Sequence, residues 1–224
     1  MSSSRVERWG RFHAAANLLV CAGLLTWPSS RAFPLALVLL GLVYFSTLLI
    51  ISRERDRFAP ANLVTVLRLA VLTGTCAHGV WYGFTWLNVA WLVAAEGGDW
   101  LDGRLARRYG ATDLGGRLDQ EVDALFVLWL SAAIWLATPM GSWVVLAGAL
   151  RYLYVLATPL LPVVVFPAWF SLQSKTICVA AVLLLLVSLA PGVPAGLAVV
   201  ASLTAVGGLC YSFGLTVVLQ IRRP

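Results

Sequence analysis

The sequence has few charged residues, a single lysine, and no polar stretch long enough to form a soluble domain. Charged residues occupy 12% of the 224 positions, whereas a soluble domain carries about 25%. Hydrophobic residues make up 60% of the chain, and the mean hydropathy is +0.87. This composition excludes an ordinary soluble globular protein and predicts an integral membrane protein.

Cysteine and histidine are also scarce, and their spacing argues against a zinc site or a disulfide scaffold. The four cysteines fall inside or close to apolar stretches and have the spacing of neither a zinc site nor a disulfide scaffold. We therefore expect them to pack as small apolar side chains. The two histidines, His13 and His78, stand alone in the sequence, and we assign them no chemistry.

Apolar stretches long enough to cross a membrane need about 20 residues each. Eight are present, at roughly 12–28, 33–51, 61–80, 84–103, 118–138, 143–165, 172–190 and 195–220. No clear cleavage site follows the first, so we expect it to remain as a helix. The pattern predicts an all-α, polytopic membrane protein, with an accessory transmembrane hairpin and charged linker over 1–58 and a six-helix catalytic core over 59–224.

Basic residues are concentrated in every second connection between the predicted spans, and this asymmetry orients the chain in the membrane. Of the basic residues that lie in connections, one set of connections holds all but Arg31, which lies in the alternate set. By the positive-inside rule, both termini and residues 99–123 are cytoplasmic. The formal charge of +6 therefore reflects topology and attraction to anionic lipids, and it requires no nucleic-acid partner. The arginine- and alanine-rich composition suggests a bacterial inner membrane.

Five aspartates fall within residues 99–123, at the border between two apolar stretches. Positions spaced i, i+3, i+4 and i+7 share one face of a helix. On the first helix these positions are Asp99, Asp102, Gly103 and Ala106. On the next helix a four-residue spacing aligns Gly115, Asp119 and Asp123. Asp113 and Glu121 lie off these faces, and we expect them to be solvated.

Four carboxylates in one pocket repel each other unless a cation neutralises them. Oxygen ligands without histidine or cysteine suit Mg²⁺, Mn²⁺ or Ca²⁺ rather than Zn²⁺. Four are enough for two divalent ions about 3.5–4 Å apart, an arrangement that can clamp a phosphate or diphosphate. The pattern predicts a two-metal site at Asp99, Asp102, Asp119 and Asp123.

Small residues and an arginine accompany these carboxylates. A bare helix surface, which lets a ligand approach the backbone, is predicted at Gly103, Ala106 and Gly115. Arg107 can bind phosphate oxygens with two parallel hydrogen bonds. Alternatively, the small residues serve close helix packing. Arg104 and Arg108 are best interpreted as positive-inside anchors.

The window resembles the signature of the CDP-alcohol phosphatidyltransferases, D-x2-D-G-x2-A-R-x8-G-x3-D-x3-D. Every signature residue is present, as Asp99, Asp102, Gly103, Ala106, Arg107, Gly115, Asp119 and Asp123. Seven residues rather than eight separate Arg107 from Gly115. The missing residue falls in the predicted turn between the helices, so neither face should be disturbed. The resemblance covers the six-span core, about 61–219.

The resemblance implies transfer of a phosphatidyl group from a CDP-linked lipid, such as CDP-diacylglycerol, to an alcohol, with release of CMP. It implies two divalent metal ions, Mg²⁺ or Mn²⁺, on the four aspartates, with Asp123 as the base that removes the alcohol proton. The cytidine would pack near Gly103 and Ala106. Relatives are often homodimers, so we expect a dimer.

PANLVTVLR, at 60–68, is similar to the start of the first core helix in the family. Asn62 and Thr65 share a helix face there. They either line the nucleotide pocket or serve helix capping and backbone bonding. Arg68 is either buried against the aspartates or extended towards the interface.

Two basic residues are candidates for binding the alcohol acceptor. Arg151 lies within an apolar span, where an arginine is costly and usually functional. Lys175, followed by Thr176, resembles the start of the fifth core helix in glycerophosphate-using relatives, although the glutamine that commonly follows is absent. Together they would bind the phosphate of glycerol 3-phosphate or inositol 1-phosphate. Alternatively, Arg151 pairs with an aspartate and Lys175 anchors its helix.

Other functions use parts of the same pattern. A divalent-cation transporter would employ the same aspartates, but transporter sites lie near the membrane midplane and these lie at one edge. A choline- or ethanolamine-type phosphotransferase would use a lipid as the acceptor. A catalytically idle scaffold is disfavoured by the complete signature.

Overall fold

The computed structural model describes residues 3–27, 32–51, 60–109, 113–162, 164 and 166–222. These residues form eight α-helices and no strand, so the all-α prediction is confirmed. The helices are α1 (Ser3–Thr26), α2 (Ala32–Ile51), α3 (Pro60–Tyr82), α4 (Trp86–Tyr109), α5 (Asp113–Ala137), α6 (Leu146–Ala157), α7 (Ala168–Leu189) and α8 (Ala195–Arg222). Short 3₁₀ turns, Ser142–Val145 and Thr158–Leu160, flank α6.

Several of these helices are long and apolar enough to cross a membrane, which makes the chain a multi-pass membrane protein. Among the described residues these segments are Asn62–Tyr82, Asp119–Ala137, Ser142–Leu160, Trp169–Leu189 and Ala195–Arg222. They correspond to α3, α5, α6 with its flanking turns, α7 and α8. The helices α1, α2 and α4 occupy the other three predicted spans, and their crossing of the membrane stays a prediction.

One predicted span, 143–165, extended too far. The helix α6 ends at Ala157, and Thr158–Leu160 continues as a 3₁₀ turn. Pro159 lies in that turn. Proline has no backbone N–H to donate to the helix and its ring restricts the preceding residue, so it ends regular helices.

The helix α5 lies at the centre of the bundle. Leu125, Phe126 and Trp129 are fully buried. The helices α3, α6 and α7 all pack against α5. Its second half is apolar on every side, as expected for a helix surrounded by other helices. Because this half is enclosed, the first turns, which carry Asp119 and Asp123, extend from a fixed support.

The helix α6 lies directly against the backbone of α5 at Gly148. A Cβ atom built on Gly148 would lie 2.2 Å from the Cα atom of Leu128, so a larger residue cannot fit there. Small residues of this kind let helix backbones approach each other in membranes. The crossing holds α6, which carries Arg151, against the helix of Asp119 and Asp123.

The N-terminal hairpin packs on the remaining helices through both of its members. The helix α1 packs against α6, and α2 packs against α3. Phe33 of α2 is fully buried and belongs to the same apolar core as Trp129 of α5. A Cβ atom on Gly41 would make ordinary contact, at 3.6 Å, with Leu69 and Trp129. The hairpin therefore shares one continuous core with α3–α8.

The turn between α3 and α4 is held by a reciprocal pair of hydrogen bonds. The backbone N–H of Thr85 donates to Asn88 Oδ1 at 2.9 Å, and the backbone N–H of Asn88 donates to Thr85 Oγ1 at 3.3 Å. This is the capping-box arrangement, which fixes the start of a helix. Gly83 precedes it with a φ of +90°, which only glycine adopts readily. The turn sets the direction of α4 towards its acidic end.

Candidate active site

The four signature aspartates lie on two helices, in pairs. The helix α4 carries Asp99 and Asp102 near its C-terminal end, and α5 carries Asp119 and Asp123 near its start. In each pair the two residues are about one helical turn apart. The structure does not describe the side-chain environment of five signature positions, which are Asp99, Asp102, Ala106, Arg107 and Gly115.

Arg68 of α3 lies at the centre of the acidic region. Its Nη1 donates to Asp119 Oδ1 at 3.0 Å, and its Nη2 donates to Asp123 Oδ1 at 3.0 Å. Its Nε donates to the backbone oxygen of Ala95 on α4 at 2.9 Å. The side chain is only 3% exposed. Of the two interpretations open from the sequence, burial against the aspartates is confirmed.

Gly98 allows the aliphatic part of Arg68 to lie against α4. A Cβ atom on Gly98 would be 2.9 Å from both Cγ and Cδ of Arg68. Gly98 immediately precedes Asp99, and Ala95 lies one turn before it. Arg68 therefore contacts α4 just before its acidic pair and contacts α5 at Asp119 and Asp123, so it joins the two helices at this point.

The contacts of Arg68 order Asp119 and Asp123 before any ligand binds. The guanidinium is a rigid planar donor, and hydrogen bonds between charged groups are the stronger ones. The two carboxylate side chains are still 35% and 42% exposed, so they also face accessible space. A ligand can therefore approach the two carboxylates from that space.

The donor set at this region fits hard divalent cations. Carboxylate oxygens suit Mg²⁺ and Mn²⁺, and one helical turn between neighbouring ligands lets both face the same ion. Among the described side chains there is no group of three or more His, Cys, Asp or Glu residues that could hold a metal. That set lacks two of the four aspartates, Asp99 and Asp102. The metal site therefore stays a prediction.

Asn62 and Thr65 precede Arg68 on the same helix at three-residue intervals. Their side chains are buried, at 3% and 2% exposure. Buried polar side chains require partners, so neither is a loose surface group. Gly103, on α4, is half-buried. The described residues leave both roles of Asn62 and Thr65, nucleotide contact and helix support, open.

The two candidate acceptor residues lie on α6 and α7. Arg151 of α6 is half-buried, and its Nε is a buried atom with no hydrogen-bond partner among the described residues. A buried donor without a partner is costly and is usually satisfied by water or a ligand. Lys175, near the start of α7, is exposed. Arg151 therefore has capacity for a further acceptor atom.

The expectation that Glu121 is solvated is wrong. Its side chain is 12% exposed, and Oε1 lies 2.8 Å from Nδ1 of His13 on α1. His13 is itself 2% exposed, so the view that it stands alone is also wrong. The sequence carried a signal for this pair, because an ionisable residue within an apolar helix requires a partner. Its partner, 108 positions away, could not be read from spacing.

The close contact at Gly98 provides a test of the Arg68 arrangement. In Gly98→Ala the added methyl group displaces Arg68, whose far end is held by three hydrogen bonds, and we expect transferase activity to fall about tenfold because the aspartates lose their alignment. Gly97→Ala is the matched control, since a Cβ atom there meets no atom within 4 Å. The two variants should be compared by CMP release. Equal activities in the two would contradict the arrangement.

These features define a multi-pass, all-helical membrane protein with an arginine-braced acidic centre on α3, α4 and α5. The sequence model of the CDP-alcohol phosphatidyltransferase family matches residues 58–211, more than half of the chain. The chain belongs to this family, and the protein is a membrane transferase of phospholipid synthesis. No curated protein and no solved structure matches the chain.

Proposed function

We propose that the protein transfers a phosphatidyl group from a CDP-linked lipid, such as CDP-diacylglycerol, to the hydroxyl group of an alcohol and releases CMP. The observation that carries this proposal is the anchoring of Asp119 and Asp123 by Arg68, at the side of α4 where Asp99 begins the family signature. The arrangement supports a pocket for a charged diphosphate at the membrane edge, while the acyl chains stay in lipid.

Two divalent ions, Mg²⁺ or Mn²⁺, would be held by Asp99, Asp102, Asp119 and Asp123. When bound, they supply positive charge that holds the diphosphate and stabilises the charge that develops on the departing CMP. Arg68 orients the α5 pair for this task and limits their rotamers.

Asp123 is the proposed base. It accepts the proton of the alcohol hydroxyl, provided that a carboxylate oxygen lies within about 2.6–3.2 Å of it. The alcohol oxygen then forms a bond to the lipid-side phosphorus, and the bond from that phosphorus to the bridging oxygen breaks. CMP leaves with that oxygen. Hydrogen bonding of Asp123 Oδ1 by Arg68 holds the carboxylate in one orientation for the proton transfer.

Recognition of the nucleotide and of the acceptor is assigned to separate residues. The cytidine diphosphate would contact Gly103, Ala106, Arg107, Gly115, Asn62 and Thr65. The acceptor would be bound by Arg151 and Lys175, which suits an alcohol that carries a phosphate group. The buried Nε of Arg151, which has no hydrogen-bond partner among the described residues, supports a ligand contact there.

The positive-inside pattern supports a location of this centre at the cytoplasmic edge of the inner membrane, with both termini cytoplasmic. CDP-lipids and small phosphorylated alcohols would both reach it there. A homodimer is proposed from the family alone. The alternative is a divalent-cation transporter rather than an enzyme, and the experiment below distinguishes the two functions.

A panel of acceptors tests the proposal. Purified protein in lipid nanodiscs would receive CDP-diacylglycerol, Mg²⁺ or Mn²⁺, and one alcohol at a time, including glycerol 3-phosphate, inositol 1-phosphate and a diacylglycerol with CDP-choline. We expect CMP release that depends on one acceptor. No CMP with any acceptor would contradict the proposal, and metal flux into sealed vesicles would support transport.

A further inference from the structure

A buried histidine of the N-terminal hairpin contacts the helix that carries the proposed base. Nδ1 of His13 lies 2.8 Å from Oε1 of Glu121. Glu121 lies between Asp119 and Asp123 in the sequence of α5. A carboxylate accepts hydrogen bonds only, so Nδ1 carries the donated proton. The hairpin, which precedes the family segment that starts at residue 58, thus reaches the acidic region directly.

The ring of His13 is held in place by residues on two helices. Asn17, one turn later on α1, donates from Nδ2 to the backbone oxygen of His13 at 3.0 Å and lies 3.2 Å from its ring nitrogens. The ring of Tyr152 on α6 meets His13 edge-on, with 6.3 Å between centroids. His13 and Asn17 are buried, at 2% and 1% exposure. The imidazole is therefore a fixed contact rather than a mobile one.

The contacts of Arg68 and His13 lie on opposite faces of α5 at the same height. Each residue of an α-helix is turned by about 100° from the one before it. Glu121 consequently points roughly 160° away from both Asp119 and Asp123. Arg68 holds the face of the two aspartates, and His13 holds the opposite face. Rotation of α5 about its axis is opposed from both sides.

We propose that His13 and Glu121 are positioning residues for the metal-binding face of α5, so that the hairpin is a working part of the catalytic unit. This inference rests on the proposed function. Without the His13 contact, the face of α5 opposite Arg68 loses a polar anchor, and the first turns of α5 are less restrained against rotation. Asp119 and Asp123 then lose their alignment with the aspartates of α4, and the divalent ions bind more weakly. Such supporting residues typically change metal affinity or activity by about 10–100-fold.

Two substitutions of His13 separate the hydrogen bond from simple packing. The amide nitrogen of asparagine falls close to the place of Nδ1, whereas that of glutamine falls close to the place of Nε2. Both side chains are polar, neutral and comparable in size. His13→Asn therefore keeps the donor towards Glu121, and His13→Gln removes it. Phe12→Ala is the control, since Phe12 is adjacent on α1 and 65% exposed.

The first measurement is Mn²⁺ binding, followed by electron paramagnetic resonance in lipid nanodiscs without substrate. We expect His13→Gln to weaken Mn²⁺ binding about tenfold, and His13→Asn and Phe12→Ala to remain within about threefold of the unmodified chain. Glu121→Ala should match His13→Gln. Equal Mn²⁺ affinities in His13→Asn and His13→Gln would overturn the inference, as would an unchanged affinity in Glu121→Ala.

The second measurement is turnover with the acceptor found in the panel. We expect His13→Gln to lower kcat and raise the Mg²⁺ concentration for half-maximal activity, with little change in the KM of the alcohol. A packing defect would instead lower the melting temperature and leave kcat of the folded fraction unchanged, which would overturn the inference. A chain that binds Mn²⁺ but releases no CMP refutes the proposed function, while the Mn²⁺ comparison still decides the role of His13.

Discussion

Asp123→Asn should reduce CMP release by about a thousandfold while leaving binding of the CDP-lipid largely intact. The amide has nearly the same shape as the carboxylate and can still contact Arg68 through its oxygen. It cannot accept the proton of the alcohol. The rate constant should be measured at saturating acceptor and saturating Mg²⁺, so that a weaker metal affinity does not mimic the loss of the base.

Asp113→Asn is the control for this substitution, because Asp113 begins the same helix and lies outside the signature. Its activity should stay within about threefold of the unmodified chain. Nucleotide binding by Asp123→Asn should be measured with a non-reacting CDP-lipid analogue. Full activity of Asp123→Asn would refute the assignment of the base, and loss of both binding and activity would assign Asp123 to the metals alone.

Arg68→Met should have the second largest effect, because one side chain holds three helices at the acidic centre. Methionine fills similar space but cannot donate to Asp119, Asp123 or the oxygen of Ala95. We expect about 2 kcal/mol lower stability, a value below that of a fully buried ion pair because both carboxylates are partly exposed. Activity should fall about a hundredfold as the carboxylates lose their orientation.

Two control variants accompany Arg68→Met, one a conservative substitution of Arg68 and the other a substitution of an arginine far from the acidic region. Arg68→Lys keeps the charge but has no planar fork, so its activity should lie between those of Arg68→Met and the unmodified chain. Arg222→Ala removes an exposed arginine from the last turn of α8 and should change neither property. Thermal unfolding in nanodiscs and CMP release report the two effects. An Arg68→Met protein with unchanged activity would show that the hydrogen bonds of Arg68 do not align Asp119 and Asp123 for catalysis.

The helices and the acidic window could be predicted because they depend on local patterns. Long apolar stretches identify membrane helices, and the spacing of four aspartates identifies two helix faces. The same reasoning extended the predicted span 143–165 past the end of α6 at Ala157, because it gave Pro159 too little weight. Helix ends depend on single residues such as Pro159 and Pro167, whereas the apolar composition continues past them.

The packing between helices could not be predicted, because it depends on which faces meet. The approach of α6 to α5 is decided by Gly148 against Leu128, and many other glycines in the chain have open space around them. Similarly, the sequence indicated no chemistry for His13 and a solvated Glu121, because neither residue has its partner nearby in the sequence. Their pairing required knowing that α1 packs against α6, beside α5. For Arg68 the sequence allowed either burial against the aspartates or extension towards the interface, and the structure shows burial.

The most direct test of the metal-based mechanism is a crystal or electron-microscopy structure of the protein with Mn²⁺ and a CDP-lipid. We expect two Mn²⁺ ions about 3.5–4 Å apart, between α4 and α5, each contacted by oxygens of the four aspartates. The lipid diphosphate should lie on both ions. Aspartate side chains of α4 and α5 too far apart to share an ion, or no Mn²⁺ between these helices, would contradict the mechanism.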